Sequence, residues 1–569
     1  MTGVSGHVLL ALSVGLPLAL ALAVLSARLR PAVERLLPAA PLPALALALA
    51  ADGTGAASLD ALLLGVRLGA DPTARVFLGF TALLWALAGW YARSYLGAAQ
   101  RHRFFGLWLA TMTGNLGLLL ARDAISFYLF FGLMSLAAYA LVVQEGTPAA
   151  RRAGRVYIVL AVLSETCLLL GFLLASHAAD SLLVADMRVA LAAAPLRDAT
   201  VLLLVAGFGI KLGLVPLHVW LPLAHGTAPA PASAVLSGAM IKAGLFGLLS
   251  FLPLGTAPMA DWGWGLAWLG LLTAYWGIAA GLAQTHPKTI LAYSSMSQMG
   301  IAAVAVGAGL AEPGRAGAAV AAAALYALHH GLAKGALFMG AGLHDAAGSA
   351  AGRRLVLAGQ AAAALSVAGL PLAAGGAAKH ALKEVAGHGA VGTLVGLSAI
   401  GTTLLLARFL LMLHRAPHHG HGPGHAHGHA HAGLAAPWLA ALVASQAAAW
   451  WLAGPAHALE PSVLWDGLWP VLAGAALALA AFALRGRLRG VSVPAGDVVV
   501  LAAPLGPMAK AAVGRLRAAR TRVRPPDVRR LVEDGLAALE SRLTDWQSAG
   551  TAFLLLIAVV AAALLLRTG

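Results

Sequence analysis

The chain of 569 residues is 60% hydrophobic and 11% charged, with mean hydropathy +0.83; soluble domains hold about 25% charged residues, so a soluble globular fold is excluded. Its net charge of +16 comes mostly from Arg and Lys in short loops and a C-terminal segment, a distribution that suits membrane topology and anionic lipid rather than nucleic acid. One cysteine, Cys167, excludes a disulfide framework, Fe–S ligation by Cys and a thiol zinc site.

The fold class expected is all-α, a polytopic membrane protein with about 14–16 transmembrane helices, since each span needs about 20 apolar residues. The spans fall near 8–27, 38–51, 76–96, 104–121, 124–143, 156–176, 200–223, 230–252, 263–284, 287–309, 316–343, 355–387, 391–413, 434–453, 463–484 and 549–566. Val8 to Leu25 is followed by Arg28, Arg30 and Arg35 rather than a small-residue cleavage site, so it reads as the first span and not a signal peptide. The second is short and rich in Pro. After it, SLDALLLGVRLGADP alternates and ends in Asp71-Pro72, the pattern of a surface hairpin. Basic loops at Arg28/Arg30/Arg35, Arg93/Arg101/Arg103, Arg151/Arg152/Arg155, Arg353/Arg354, Arg415 and Arg485/Arg487/Arg489 each follow an odd-numbered span. By the positive-inside rule that side is cytoplasmic and the N-terminus is outside.

The stretch from Thr200 to Ser250 is apolar enough for a bilayer yet holds Lys211, His218, His225 and Lys242, with Pro216, Pro222, Pro229 and Pro231. Ionisable side chains at membrane depth are costly and need a partner, a wet cavity or a function. Prolines free backbone groups that lipid cannot satisfy, which predicts a broken helix buried in protein or lining water. Lys211 and His218, seven residues apart, share a face on a continuous helix. Titratable groups along a broken helix are the parts from which a proton path is made. An altered form of this stretch, GLPLAAGGAAKHALKE, brings Pro371, Lys379, Lys383 and Glu384, a loose internal symmetry. His330 and Lys334, at i and i+4, are open to a second reading as a satisfied structural pair, and Lys383 and Glu384 to one as an exposed helix end.

Residues 414–431, HRAPHHGHGPGHAHGHAH, hold eight of the 20 histidines, interleaved with Gly, Pro and Ala. No rigid ligand geometry follows, so a flexible cytoplasmic loop with adventitious Zn or Ni affinity is preferred to a metal site. Within 485–548, Val528, Val532, Leu536, Leu539, Leu543 and Trp546 recur at helical spacing beside many Arg residues, predicting a basic amphipathic helix on the membrane surface. No strand–GxGxxG–helix context exists, so no nucleotide, flavin or other cofactor is expected.

The motifs GIKLGLVPLHVWLPLAHGTAPAPASAVLSGAMIKAGLFGLL, THPKTILAYSSMSQMG and ALHHGLAKGALFMGAG closely resemble the proton-translocating, antiporter-like subunits of respiratory complex I. The same family includes Mrp-type cation/proton antiporter subunits and membrane subunits of formate hydrogenlyase-type hydrogenases. The resemblance covers roughly residues 60–415. It implies two inverted five-helix repeats, each with a broken helix, often followed by a lateral helix and a last anchor. The domains expected are then 1–100, N-terminal spans with the hairpin; 101–254 and 255–413, the two repeats; 414–433, the His-rich loop; 434–484, extra spans; 485–548, the lateral helix; and 549–569, the anchor.

By position, Lys211 matches the lysine of the first broken helix and Lys242 that of the next helix. His329, His330 and Lys334 match the polar helix between the halves, and Lys379 the charged residue of the second broken helix. Glu165, in VLSETCLLLG, sits where some members have an acid. The family usually has a glutamate on the fifth helix, in a sequence like W-E-L-M, to pair with the first lysine; here the stretch is Phe131-Gly132-Leu133-Met134. Either Glu165 substitutes for that acid or the first half-channel is altered.

The implied path runs from the cytoplasm to Lys211 and Lys242, through His329, His330 and Lys334, and out by Lys379. Implied partners are other membrane subunits of a complex I-, Mrp- or hydrogenase-like assembly. H⁺, and Na⁺ as an open alternative, is the ion moved. A second reading is a proton-conducting membrane partner that energises uptake by a soluble subunit, as in inorganic-carbon accumulation. Electron-transfer chemistry, if present, belongs to partners. The location implied is a bacterial inner membrane.

Overall fold

The computed structural model describes residues 2–50, 57–59, 65–416, 430–454 and 460–484. The His-rich stretch 417–429, the expected surface helix and the last anchor lie outside the described residues. One compact unit, Met1–Ser58 with Arg67–Gly496, contains nearly all of them; of a second, Leu59–Val66 with Asp497–Gly569, only Leu59, Gly65 and Val66 are described.

Helix α1 (Thr2–Ala23) precedes α2 (Arg30–Leu36) and α3 (Leu42–Leu49), which are joined by a 3₁₀ turn at Leu37–Ala39. The second apolar segment therefore starts at Arg30, not at 38, and Arg30 and Arg35 stand on helix rather than in a loop. Pro31, Pro38 and Pro43 each sit in the first turn of their piece, where a missing N–H breaks no helical bond. Strands β1 (Ala57–Leu59) and β2 (Val66–Leu68) form a two-stranded sheet.

Helix α4 (Pro72–Tyr95) begins where the Asp71 carboxylate accepts from Ala74 N at 2.7 Å. After α5 (Ala98–Leu120), Asp123 caps α6 (Ala124–Val142), accepting from Ser126 N at 2.7 Å and from Arg67 N at 2.8 Å. Thr147 caps α7 (Pro148–Ala179), and α8 (Val184–Leu191) follows. The next stretch is interrupted twice, as α9 (Arg197–Leu212), α10 (Trp220–Thr227), α11 (Ala230–Val235) and α12 (Lys242–Phe251), with a π-helical turn at Leu236–Met240 between the last two.

Then come α13 (Ala260–Leu282), α14 (Pro287–Ala311), α15 (Ala316–Ala346), α16 (Ala350–Ala368), α17 (Ala374–Ala386), α18 (Ala390–Arg415), α19 (Ala430–Ala453) and α20 (Pro461–Ala483). Among the described residues, 12 helical runs are long and apolar enough to cross a membrane. One order of elements occurs twice. Helices α5, α6 and α7 lead to the broken pair α9–α10 and then α11–α12; α13, α14 and α15 lead to the broken pair α16–α17 and then α18. Each set holds five such members, the pattern expected of two inverted repeats.

The centre of the bundle is α14, whose apolar window is 100% buried. It packs on α13 through glycines seven residues apart: Gly263, Gly270 and Gly277 face Gly307, Gly300 and Tyr293. A Cβ at Gly270 would stand 2.5 Å from Gly300 O, and one at Gly300 would stand 2.5 Å from Gly270 O. In lipid, association gains little from hydrophobicity, and close approach through small residues is what holds two helices.

Candidate functional site

Both breaks are built alike. Gly213 and Gly369 take left-handed backbone, with φ of 86° and 103°, and each is followed closely by a proline, Pro216 or Pro371. At the first, Gly213 N and Leu214 N both donate to Gly209 O at 2.9 Å; at the second, Gly369 N and Leu370 N donate to Leu365 O at 3.1 and 3.0 Å. One end carbonyl at each break also accepts from a side chain. Trp220 Nε1 donates to Ile210 O at 2.8 Å and Lys379 Nζ to Ala368 O at 3.0 Å.

Lys211, near the end of α9, is 4% exposed. Its ammonium donates to Ser135 Oγ of α6 at 3.1 Å and to Tyr157 Oη of α7 at 3.5 Å. Three rings enclose it, Phe131, Tyr157 and Trp220, with centroids at 5.6, 5.7 and 5.9 Å. This cage stabilises a cation through ring quadrupoles and hydroxyl dipoles. No carboxylate of a described residue forms an ion pair with it. Glu165 stands eight residues beyond Tyr157 on α7, and its Oε1 is buried without a hydrogen-bond partner among the described residues. A Cβ at Gly132 would meet nothing within 4 Å, so the place of the family's usual glutamate is open space. His218 is fully buried in the segment between α9 and α10.

At the centre the π turn brings Lys242 to face α15. Lys242 Nζ donates to Ser237 O at 2.5 Å and lies 2.8 Å from His330 Nδ1. Lys334 Nζ donates instead to Leu291 O of α14 at 3.0 Å. His330 and Lys334 thus share a helix face but bond to different neighbours. His330 stacks on Tyr326 at 5.9 Å; Tyr326 Oη donates to Gln298 Oε1, and Gln298 Nε2 donates to Thr402 Oγ1 at 2.9 Å. His329 Nε2 lies 2.8 Å from Ser366 Oγ on α16. Gln446 of α19 ties the two sides of the second break, donating from Nε2 to Ser366 Oγ at 3.0 Å and accepting from Ala374 N at 3.0 Å.

Lys242, His329, His330 and Lys334 therefore converge at the bundle centre, with Lys211 and Lys379 at the two breaks. At 2.8 Å a proton can be handed between Lys242 and His330, and a charge at one buried site is felt at the next because little water screens it. The contacts of Ser135, Tyr157, Ser237, Gln298, Tyr326, Ser366 and Gln446 were not readable from sequence. Each is a polar residue in an apolar span, a weak signal until its facing helix is known.

Such a structure defines a class: an α-helical multi-pass membrane protein with titratable groups strung between two inverted broken helices. Residues 121–405 match the family described as "NADH:quinone oxidoreductase/Mrp antiporter, TM", and the chain belongs to that family. It is 34% identical over 262 residues to hydrogenase-4 component B of Escherichia coli (strain K12), covering 44% of this chain and 38% of that protein. It is 34% identical over 291 residues to NADH-quinone oxidoreductase subunit N of Desulforudis audaxviator (strain MP104C), covering 49% and 56%. The match thus spans about half the length of these relatives, or less. In three dimensions it resembles a chain of the Mrp complex from Dietzia sp. DQ12-45-1b, with TM-score 0.71 and 25% identity over 94% of this chain and 62% of that one. The fold is also that of a chain of the archaeal membrane-bound sulfane sulfur reductase, with TM-score 0.62, 19% identity, and 82% and 99% coverage.

Proposed function

We propose that this protein is a proton-translocating integral membrane subunit of a multi-subunit complex, moving H⁺ along Glu165, Lys211, His218, Lys242, His330, His329, Lys334 and Lys379. The observation that carries this reading is the Lys242–His330 contact of 2.8 Å, which couples the lysine beyond the first break to α15, the long helix of the second set. Lys242 delivers a proton to the imidazole and recovers one from the Lys211 side; His329, one residue back, passes it toward Ser366 and Lys379. The names of the relatives support partners that are other membrane subunits of a hydrogenase-, quinone oxidoreductase- or Mrp-type assembly. The distribution of basic loops supports a bacterial inner membrane location with the N-terminus on the periplasmic side.

A second reading has a specific observation in its favour. With Gly132 in place of a glutamate, and among the described residues only hydroxyls and rings bonded to or ringing Lys211, the first half shows no close ion pair of the kind that would load and release a lysine in a pump cycle. A downhill conduit that energises uptake by a soluble partner needs no such cycle. The test is proton flux into liposomes holding the purified chain. Electrogenic flux lost in both Lys211→Ala and Glu165→Gln supports a conducting path in which Glu165 serves Lys211. Loss in Lys211→Ala alone leaves Glu165 structural, and a wild-type chain without flux overturns autonomous conduction. Repeating the assay with a Na⁺ gradient separates exchange from H⁺ movement alone.

A further inference from the structure

We propose that Asp466 of α20, through its ion pair with Lys383, is the gate by which protons leave the second half of the path; this rests on the proposed function. Asp466 lies outside the residues matched by the family, 83 positions from Lys383 in the chain. Yet Lys383 Nζ meets Asp466 Oδ2 at 2.6 Å, and His380 Nδ1 stands 4.0 Å from the same oxygen. Glu384 Oε1 stands 4.0 Å from His380 Nε2 on the other side of the ring. Lys379, His380, Lys383 and Asp466 all line one partly open cavity of about 40 Å³. Water has room there, since one molecule needs about 10–15 Å³ of such space.

The approach of α20 to the break is built into its sequence. A Cβ at Gly467 would stand 2.9 Å from Gly369 O and 3.3 Å from Pro371 Cγ, so only a glycine beside Asp466 lets the helix come this close. Gly369 is the residue whose left-handed backbone ends α16, and its own Cβ would stand 3.0 Å from Lys379 Cδ. Asp466, the break and Lys379 are therefore set by one contact. On the orientation proposed above, α17 ends and α20 begins on the outer side, which makes this cavity the exit mouth.

The charged and titratable groups facing Asp466 come from α17, namely Lys379, His380, Lys383 and Glu384; the lining from α14, α16 and α18 is uncharged. At rest the carboxylate is held by Lys383. When Lys379 gives up a proton through cavity water, Asp466 takes it, the ion pair with Lys383 opens, and the neutral acid releases the proton outward. The carboxylate then returns to Lys383, so charge and protons balance over the cycle.

The experiment is electrogenic proton flux in liposomes containing the full chain, with Lys379→Ala as the reference for a blocked path. Asp466→Asn should lower flux at least tenfold, and Asp466→Glu should restore at least half of it. Lys383→Gln frees the carboxylate and should raise flux at least twofold. The double variant Asp466→Asn with Lys383→Gln removes the ion pair without leaving an unpaired charge, and it should stay as low as Asp466→Asn alone. Recovery of flux in that double variant would reduce the pair to a structural clamp and overturn the gate. So would wild-type flux in Asp466→Asn when Lys379→Ala has lost it. A wild-type chain that conducts nothing overturns the underlying function as well.

Discussion

Lys242 Nζ and His330 Nδ1 lie 2.8 Å apart, on two helices whose residues are 88 positions apart in the chain. A π-helical turn at Leu236–Met240 precedes Lys242, and the carbonyl of Ser237 within it accepts from the same ammonium. Such turns leave carbonyls that an α-helix would have used, and here one becomes the lysine's second partner. The arrangement holds an amine against an imidazole in a fully buried site.

If this pair works as a unit, Lys242→Ala and His330→Ala should each lower proton flux by about tenfold or more, since a buried hydrogen bond to a charged group is worth about 1.5–3 kcal/mol. The double variant should be little worse than either single one. Losses that multiply would show two independent sites.

Gly132→Glu should be sterically tolerated by the fold, because its Cβ enters open space, with the cost of the added acid offset by Lys211. It should also restore flux to Glu165→Gln by supplying Lys211 with another carboxylate. Thermal unfolding in detergent checks the first statement and liposome flux the second. A Gly132→Glu, Glu165→Gln chain that folds but stays inactive would refute the exchange of roles.

Gly270→Val and Gly300→Val should each destabilise the protein by about 1–3 kcal/mol, because the added side chain meets backbone that cannot yield. Gly265→Val on the same α13 is the control, since nothing lies within 4 Å of its Cβ, and it should stay within about 0.5 kcal/mol of wild type. Melting temperatures of the three variants in one detergent decide the matter.

Asp123 is 2% exposed, and its two oxygens accept from two backbone N–H groups, one capping α6 and one from β2. Asp123→Ala leaves both donors short of a partner and should cost about 1–3 kcal/mol. Asp123→Asn keeps one good acceptor and should cost less. Equal melting temperatures for the two would mean that water replaces the carboxylate.

From sequence alone came the class, the membrane-spanning helices, the two interrupted stretches and the lysines and histidines within them. These were legible because membrane chemistry is severe: an apolar run of span length and a proline or a lysine inside it each have few readings. What sequence could not decide is which polar side chain meets which. Lys334 and His330 share a helix face, yet packing sends one to Leu291 O and the other to Lys242. Lys211 looked short of an acid, and only the facing helices reveal that Ser135, Tyr157 and three rings take that place. Lys383 read equally as an exposed end until α20 brought Asp466 to it. Periodicity fixes the face on which a residue stands, but a partner 76 to 88 positions away is set by how closely two helices approach, and that distance is decided by glycines and breaks acting together in three dimensions.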